Sequence, residues 1–152
     1  MAALYGANGA GKSNVIRAIS TFQNVVGLGA ITTEFVESKN EFALEEETQL
    51  LGIEFIYNNK YYSYAFEYCQ DKIQSEELYI IRNNIAENEL VFKRYQENNE
   101  LIIELNEEIR KDQEAVLFFK LLQNKTLGKK ELLLTKVLTL GYEDNKDINS
   151  VV

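Results

Sequence analysis

A chain of 152 residues with 45% apolar and 26% charged side chains can bury one core of ordinary composition. Its formal charge of −8 is spread along the sequence, which argues against wrapping a phosphate backbone by electrostatics alone, so direct nucleic-acid binding is not expected. The absence of histidine excludes His-based triads and His metal sites within the chain, and the lone Cys69 excludes an internal disulfide. No apolar run approaches the roughly 20 residues that a membrane helix needs, so no membrane association is expected.

The chain opens on a short apolar run, Ala2 to Tyr5, that reads as a buried strand. A glycine-rich segment arrives at once, in place of the basic-then-apolar layout of a secretion signal, and with a cysteine usage that fits a reducing compartment it predicts a cytoplasmic protein. From Lys12 the period changes: Val15, Ile16, Ile19, Phe22 and Val26 fall at helical spacing, and Gly27 and Gly29 mark the stop. Residues 30–48 are polar and acid-rich, including Glu45-Glu46-Glu47, and read as a connecting segment with room for one short helix or strand.

The middle of the chain is β. Leu51, Ile53, Phe55 and Tyr57 alternate; Asn58-Asn59-Lys60 supplies a turn; Tyr62, Tyr64, Phe66 and Tyr68 alternate again. A turn at Gln70-Asp71-Lys72 leads into a strand from Ile73 to Ile81, and Leu90 to Tyr95 and Leu101 to Leu105 follow around a turn at Glu97-Asn98-Asn99. Sequential strands joined by short turns must run antiparallel, because a parallel pair needs a long crossover. After residue 106 the pattern is helical, with Ala115, Leu117, Phe118, Leu121 and Leu122 in one helix and Leu132, Leu133, Val137, Leu138 and Leu140 in another, stopped by Gly141. Asp147 is placed to cap a third. The expected fold is α/β: a strand–loop–helix unit over 1–29, an antiparallel β-meander lobe over 49–105, and a helical segment over 106–152.

The loop carries the chemistry. Gly6-Ala7-Asn8-Gly9-Ala10-Gly11-Lys12-Ser13 matches G-x-x-x-x-G-K-[ST] in full. Glycines let successive backbone N–H groups turn inward to form a concave anion site, and the following helix adds its partial positive charge. Lys12 can reach the β- and γ-phosphates, and the Ser13 hydroxyl can ligate Mg²⁺. The expected ligand is therefore a nucleoside triphosphate with Mg²⁺.

The stretch from Leu4 to Asn14, with Asn8 before the central glycine and Asn14 after the serine, resembles ABC-type ATPases of the SMC-like, RecF-like and OLD-like group. The later runs Tyr62-Ser63-Tyr64-Ala65-Phe66-Glu67-Tyr68, Ile73, Glu76, Leu78-Tyr79 and Val91-Phe92-Lys93-Arg94 are similar to bacterial AAA-family ATP-binding proteins of abortive-infection and other antiphage systems. That resemblance implies ATP as the nucleotide, with Gly6 to Asn14 holding it, and a P-loop half-domain whose antiparallel strands form a lobe flanking the site. It implies, in a complete protein, a second ATPase subunit and an attached effector such as a nuclease.

Beyond the loop the chain departs from that pattern. Neither a signature loop nor an apolar strand ending in Asp-Glu is present; Leu101-Ile102-Ile103-Glu104 carries a single acid and reads as a solvated strand face. Residues 1–152 thus look like the N-terminal part of an ATPase head, ending before its catalytic second half. A small GTPase is disfavoured because Asn124-Lys125-Thr126-Leu127 lacks the guanine-reading acid. A small P-loop kinase would continue as parallel β–α units, and a non-hydrolysing interaction module remains the reading without chemistry. Tyr57, Tyr61, Tyr62, Tyr64 and Tyr68 are expected to pack within the sheet rather than form a base-stacking surface. Cys69 reads as a small buried side chain, and Arg110-Lys111 and Lys129-Lys130 as solvated helix surface.

Overall fold

A computed structural model describes residues 12–32, 48–82, 88–98 and 100–140. The expected strand at Ala2 to Tyr5, the loop from Gly6 to Gly11, most of the 30–48 connection, Gly141 and the cap at Asp147 lie outside them. The described residues form a mixed α/β structure: a five-stranded antiparallel sheet with four helices.

Helix α1 runs Lys12–Leu28. Strands β1 (Gln49–Tyr57), β2 (Lys60–Cys69), β3 (Lys72–Ile81), β4 (Glu89–Glu97) and β5 (Glu100–Leu105) follow, each hydrogen-bonded antiparallel to the next in the order β1-β2-β3-β4-β5. This is the meander that the alternation and short turns predict. At the first hairpin, Asn58 and Asn59 both have positive φ, 46° and 60°, between the closing pair Tyr57 and Lys60. Two consecutive left-handed residues make the turn whose twist suits antiparallel strands, and Asn tolerates that region better than most side chains. Gln70 (φ 53°) and Asn98 (φ 52°) serve the later turns.

Three helices follow the sheet: α2 (Glu107–Lys111), α3 (Gln113–Leu121), which runs on into a π turn at Leu122–Thr126, and α4 (Leu133–Thr139). Their starts have different origins. Asn106 Oδ1 accepts from Ile109 N at 2.7 Å and begins α2; Asp112 Oδ1 accepts from Glu114 N and Ala115 N and begins α3. Helix α4 has Leu132 at its N-cap and no local side-chain cap. Lys129 and Lys130 lie in the turn before α4 rather than on a helix, and Lys130 pairs with Asp71 at 2.7 Å. Arg110 and Lys111 are exposed on α2, as expected.

The core lies on one face of the sheet. Tyr62, Tyr64, Phe66 and Tyr68 of β2 and Ile73, Leu78 and Ile80 of β3 are buried there with Phe92 of β4, Phe119 of α3 and Leu133, Leu134 and Val137 of α4. Helix α1 reaches this core through Phe22, which stacks on Phe66 (centroids 5.9 Å) and meets Tyr64 edge-on (6.0 Å). Of the predicted apolar stripe of α1, Phe22 and Val26 pack here beside buried Val25, while Val15, Ile16 and Ile19 stay exposed. The tyrosines divide likewise: Tyr62, Tyr64 and Tyr68 are sheet core, whereas Tyr57 and Tyr61 are exposed. Cys69, at the end of β2, is half-buried rather than enclosed.

Candidate functional site

Of the predicted site residues, Gly6, Ala7, Asn8, Gly9, Ala10 and Gly11 lie outside the described residues. Lys12, Ser13 and Asn14 form the first turn of α1, and Ser13 is exposed there. That turn holds no acidic residue. The unpaired N–H groups and partial positive charge of a helix start are therefore not cancelled by a side chain of the turn itself, which suits an anion. A hydroxyl exposed at this position is also suited to a hard cation such as Mg²⁺. Among the described residues, no cluster of three or more acidic or Cys side chains could hold a metal on its own.

The other end of α1 is tied into the structure with close geometry. Gly29 has φ 72° and its N–H donates to Val25 O at 2.9 Å, a left-handed glycine stop. Its carbonyl accepts from Leu132 N at 2.8 Å, Ile31 N donates to Lys130 O at 2.9 Å, and Thr135 Oγ1 donates to Val26 O at 3.0 Å. A Cβ at Gly29 would stand 2.6 Å from Thr135 Cγ2. Helix α4 and the turn before it thus clasp the end of the helix whose start carries Lys12 and Ser13.

Beneath that clasp lies a buried charged cluster that sequence reasoning missed. Glu76 of β3 and Arg94 of β4 face each other across the sheet and are 0% and 1% exposed. Glu76 Oε2 accepts from Leu133 N (2.6 Å) and Oε1 from Leu134 N (2.9 Å) and the Tyr64 hydroxyl (2.9 Å). It supplies the N-cap that α4 lacks locally, from 57 and 58 residues upstream. Arg94 Nη1 lies 3.5 Å from Glu76 Oε2 and donates to the Glu131 carbonyl; Nη2 reaches Gly128 O at 3.5 Å. Its Nε has no hydrogen-bond partner among the described residues.

Burial raises the Glu76 carboxyl, against the opposing pull of Arg94, the two α4 amides and Tyr64. Burial likewise lowers Arg94 and, with Glu76 beside it, raises Tyr64. Every acceptor direction of Glu76 meets a donor, so its work is to hold α4. This geometry gives it no substrate-facing role. The sequence signals were Glu76 and Arg94 themselves, each a charge in line with the inward-facing apolar residues of an alternating strand.

The opposite face of the sheet carries a groove of about 580 Å³ lined by Glu67, Glu77, Lys93, Tyr95 and Glu104 among others. Its polar groups are satisfied internally: Ser75 Oγ donates to Glu67 (2.9 Å), the Tyr95 hydroxyl to Glu104 (2.8 Å), and Lys93 pairs with Glu77 at 3.6 Å. It is a solvated sheet face, and Glu104, the acid of Leu101-Ile102-Ile103-Glu104, belongs to it, as expected. Among the described residues no helix is long and apolar enough to cross a membrane.

Comparison with known proteins agrees with the class of the motif. Residues 1–147 match a family model described as "AAA domain, putative AbiEii toxin, Type IV TA system". No curated protein and no solved structure gives a match. The model spans nearly the whole sequence, including the Gly6–Ser13 motif and the meander, and an AAA domain is a nucleotide-binding, ATPase-like unit. The chain belongs to this AAA-domain family.

Proposed function

We propose that the chain binds ATP with Mg²⁺ through Gly6, Ala7, Asn8, Gly9, Ala10, Gly11, Lys12, Ser13 and Asn14, as the nucleotide-holding part of an ABC-type ATPase. The observation that carries the reading is the full loop motif running directly into α1, which begins at its lysine. Membership in an AAA-domain family supports it. Lys12 would contact the β- and γ-phosphates and the Ser13 hydroxyl would ligate the metal. Bound Mg²⁺ neutralises phosphate charge; the chain's part is to cradle and orient the triphosphate.

Hydrolysis needs an oriented water and charge stabilisation from an acid pair and a signature loop, and the sequence supplies neither. Those parts would come from a second ATPase subunit and further chain in a complete protein. There, ATP binding and hydrolysis would drive an effector such as a nuclease in DNA-related or antiphage work, in keeping with the toxin–antitoxin description of the family. We place this protein in the cytoplasm.

Calorimetric titration of Mg²⁺–ATP into the wild type and Lys12→Ala tests the binding step. Wild-type binding reduced tenfold or more by the substitution, about 1.4 kcal/mol, is the expected result. Equal binding by both, or none by a folded wild type, ends the proposal.

A further inference from the structure

The two edges of the sheet are finished differently. At β5, the shorter edge, Ile103 N–H is met by Gln123 Oε1 from the π turn at 3.3 Å. At β1, no described residue pairs with the outer side of a nine-residue strand. Its sequence, Gln49-Leu-Leu-Gly-Ile-Glu-Phe-Ile-Tyr57, has one charge and no proline, so its own side chains give little of the protection usual on an edge strand. Its apolar side chains are exposed on both faces: Leu50 by 64% and Ile56 by 61% on the groove side, Ile53 by 44% and Tyr57 by 40% on the core side.

The register of the first hairpin fixes which backbone groups are spare. Tyr57 and Lys60 close a two-residue turn and exchange hydrogen bonds, so Phe55, Ile53, Leu51 and Gln49 also direct theirs toward β2. Leu50, Gly52, Glu54 and Ile56 direct theirs outward. We infer that β1 pairs antiparallel with β1 of a second copy of this chain, on a two-fold axis at Ile53, joining the two sheets into one.

The strand is self-complementary in that register. Ile53 meets Ile53 of the second copy, Leu51 meets Phe55, and Leu50 meets Ile56, while Glu54 falls opposite Gly52 and so never faces its own charge. Shifting the strands by two residues toward the Tyr57 end brings Glu54 against Glu54; shifting them the other way opposes Glu54 to Leu50 and strands Ile56. The outward groups of four residues per copy form about eight new hydrogen bonds, and the exposed apolar side chains close over both faces of the seam. Two copies of net charge −8 repel, so the association strengthens as salt screens them. The pairing uses neither the loop nor ATP and stands or falls independently of the proposed nucleotide binding.

Light scattering across a concentration series, without nucleotide, reads the assembly directly. The expected mass is twice the 17.5 kDa of the chain, returning to one chain in Ile53→Lys, which sets two ammonium groups against each other on the axis. Should Ile53→Lys fail to fold by circular dichroism, Ile56→Lys on the groove side does the same task. Oxidation in a Cys69→Ser background locates the seam. Ile53→Cys should cross-link two chains, since opposed residues on the axis bring their Cβ atoms within about 5 Å. Ile56→Cys, about 20 Å from its mate at ~3.3 Å per residue, should not. A monomer at every concentration, a dimer that survives the lysine variants, cross-linking at 56 instead of 53, or assemblies growing beyond two chains would each overturn the inference.

Discussion

Glu76 and Arg94 show how much a single pair can decide. A carboxylate at 0% exposure is costly unless its acceptors are filled, and here two amides of α4, the Tyr64 hydroxyl and a guanidinium fill them. Removing one partner leaves the other charge uncompensated. Arg94→Met should therefore destabilise by about 3–5 kcal/mol, and adding Glu76→Gln should cost less than the sum of the single changes. Denaturant titration of the four chains measures this; additive effects within about 0.5 kcal/mol would show that the two residues do not act as a unit. Glu131 provides the pH dependence. Partial burial pushes its carboxyl up, but Lys136 at 2.9 Å, the Gly128 N–H at 2.7 Å and the nearby Arg94 together hold it below its ordinary 4.5. A lowered folded value means that its contribution is present above 4.5 and disappears as pH falls through the lower value. Glu76 has the opposite sign, since its raised value makes acid no threat to it. Glu131→Gln should accordingly flatten the loss of stability below pH 4.5, read as melting temperature against pH, and Glu76 should not be the source of that loss.

Helix α1 is gripped mainly at its second half. Phe22 and Val25 pack on the sheet, Gly29 stops the helix, and α4 closes over the stop, while the first turns carry exposed Val15, Ile16 and Ile19. The grip depends on Gly29 twice, for its φ of 72° and for the close approach of Thr135, whose Cγ2 would stand 2.6 Å from a Cβ at position 29. Gly29→Ala should cost about 1–2 kcal/mol for the left-handed backbone and about 1–3 kcal/mol for overpacking. Thr135→Ser removes the methyl at 2.6 Å and keeps the hydroxyl that bonds Val26 O, but leaves the Cβ of residue 135 at 2.9 Å, so the double variant should recover part of the overpacking cost and none of the backbone cost. A Gly29→Ala chain as stable as the wild type would mean that α1 is not held this way. The apolar period read from the sequence identified this helix correctly but not how much of its stripe is covered. Periodicity marks which face is apolar; what lies against it depends on where the sheet ends.

At the scale of the whole molecule, the missing acid pair and signature loop limit what the chain can do unaided. Steady ATP turnover should be negligible, and Mg²⁺–ATP should leave the scattering mass unchanged, whatever that mass is without nucleotide. A turnover lost in Lys12→Ala would favour a kinase-like reading. An ATP-driven shift to a larger assembly would mean that some segment within 106–152 performs the signature's task. Both are read with the same preparation, by phosphate release and light scattering.

The sequence by itself determined what local physics governs. The loop motif is contiguous, the five strands announce themselves by alternation, and Asn58-Asn59 makes its hairpin because both residues accept positive φ. The caps at Asn106 and Asp112 also act within three residues of themselves. Only the tertiary structure decided the start of α4, because its capping carboxylate comes from Glu76 on a strand far upstream. It alone decided which tyrosines are core and which described strand, β1, has no partner on its outer side among the described residues, since burial and pairing depend on which elements meet, and no window of neighbouring residues records that.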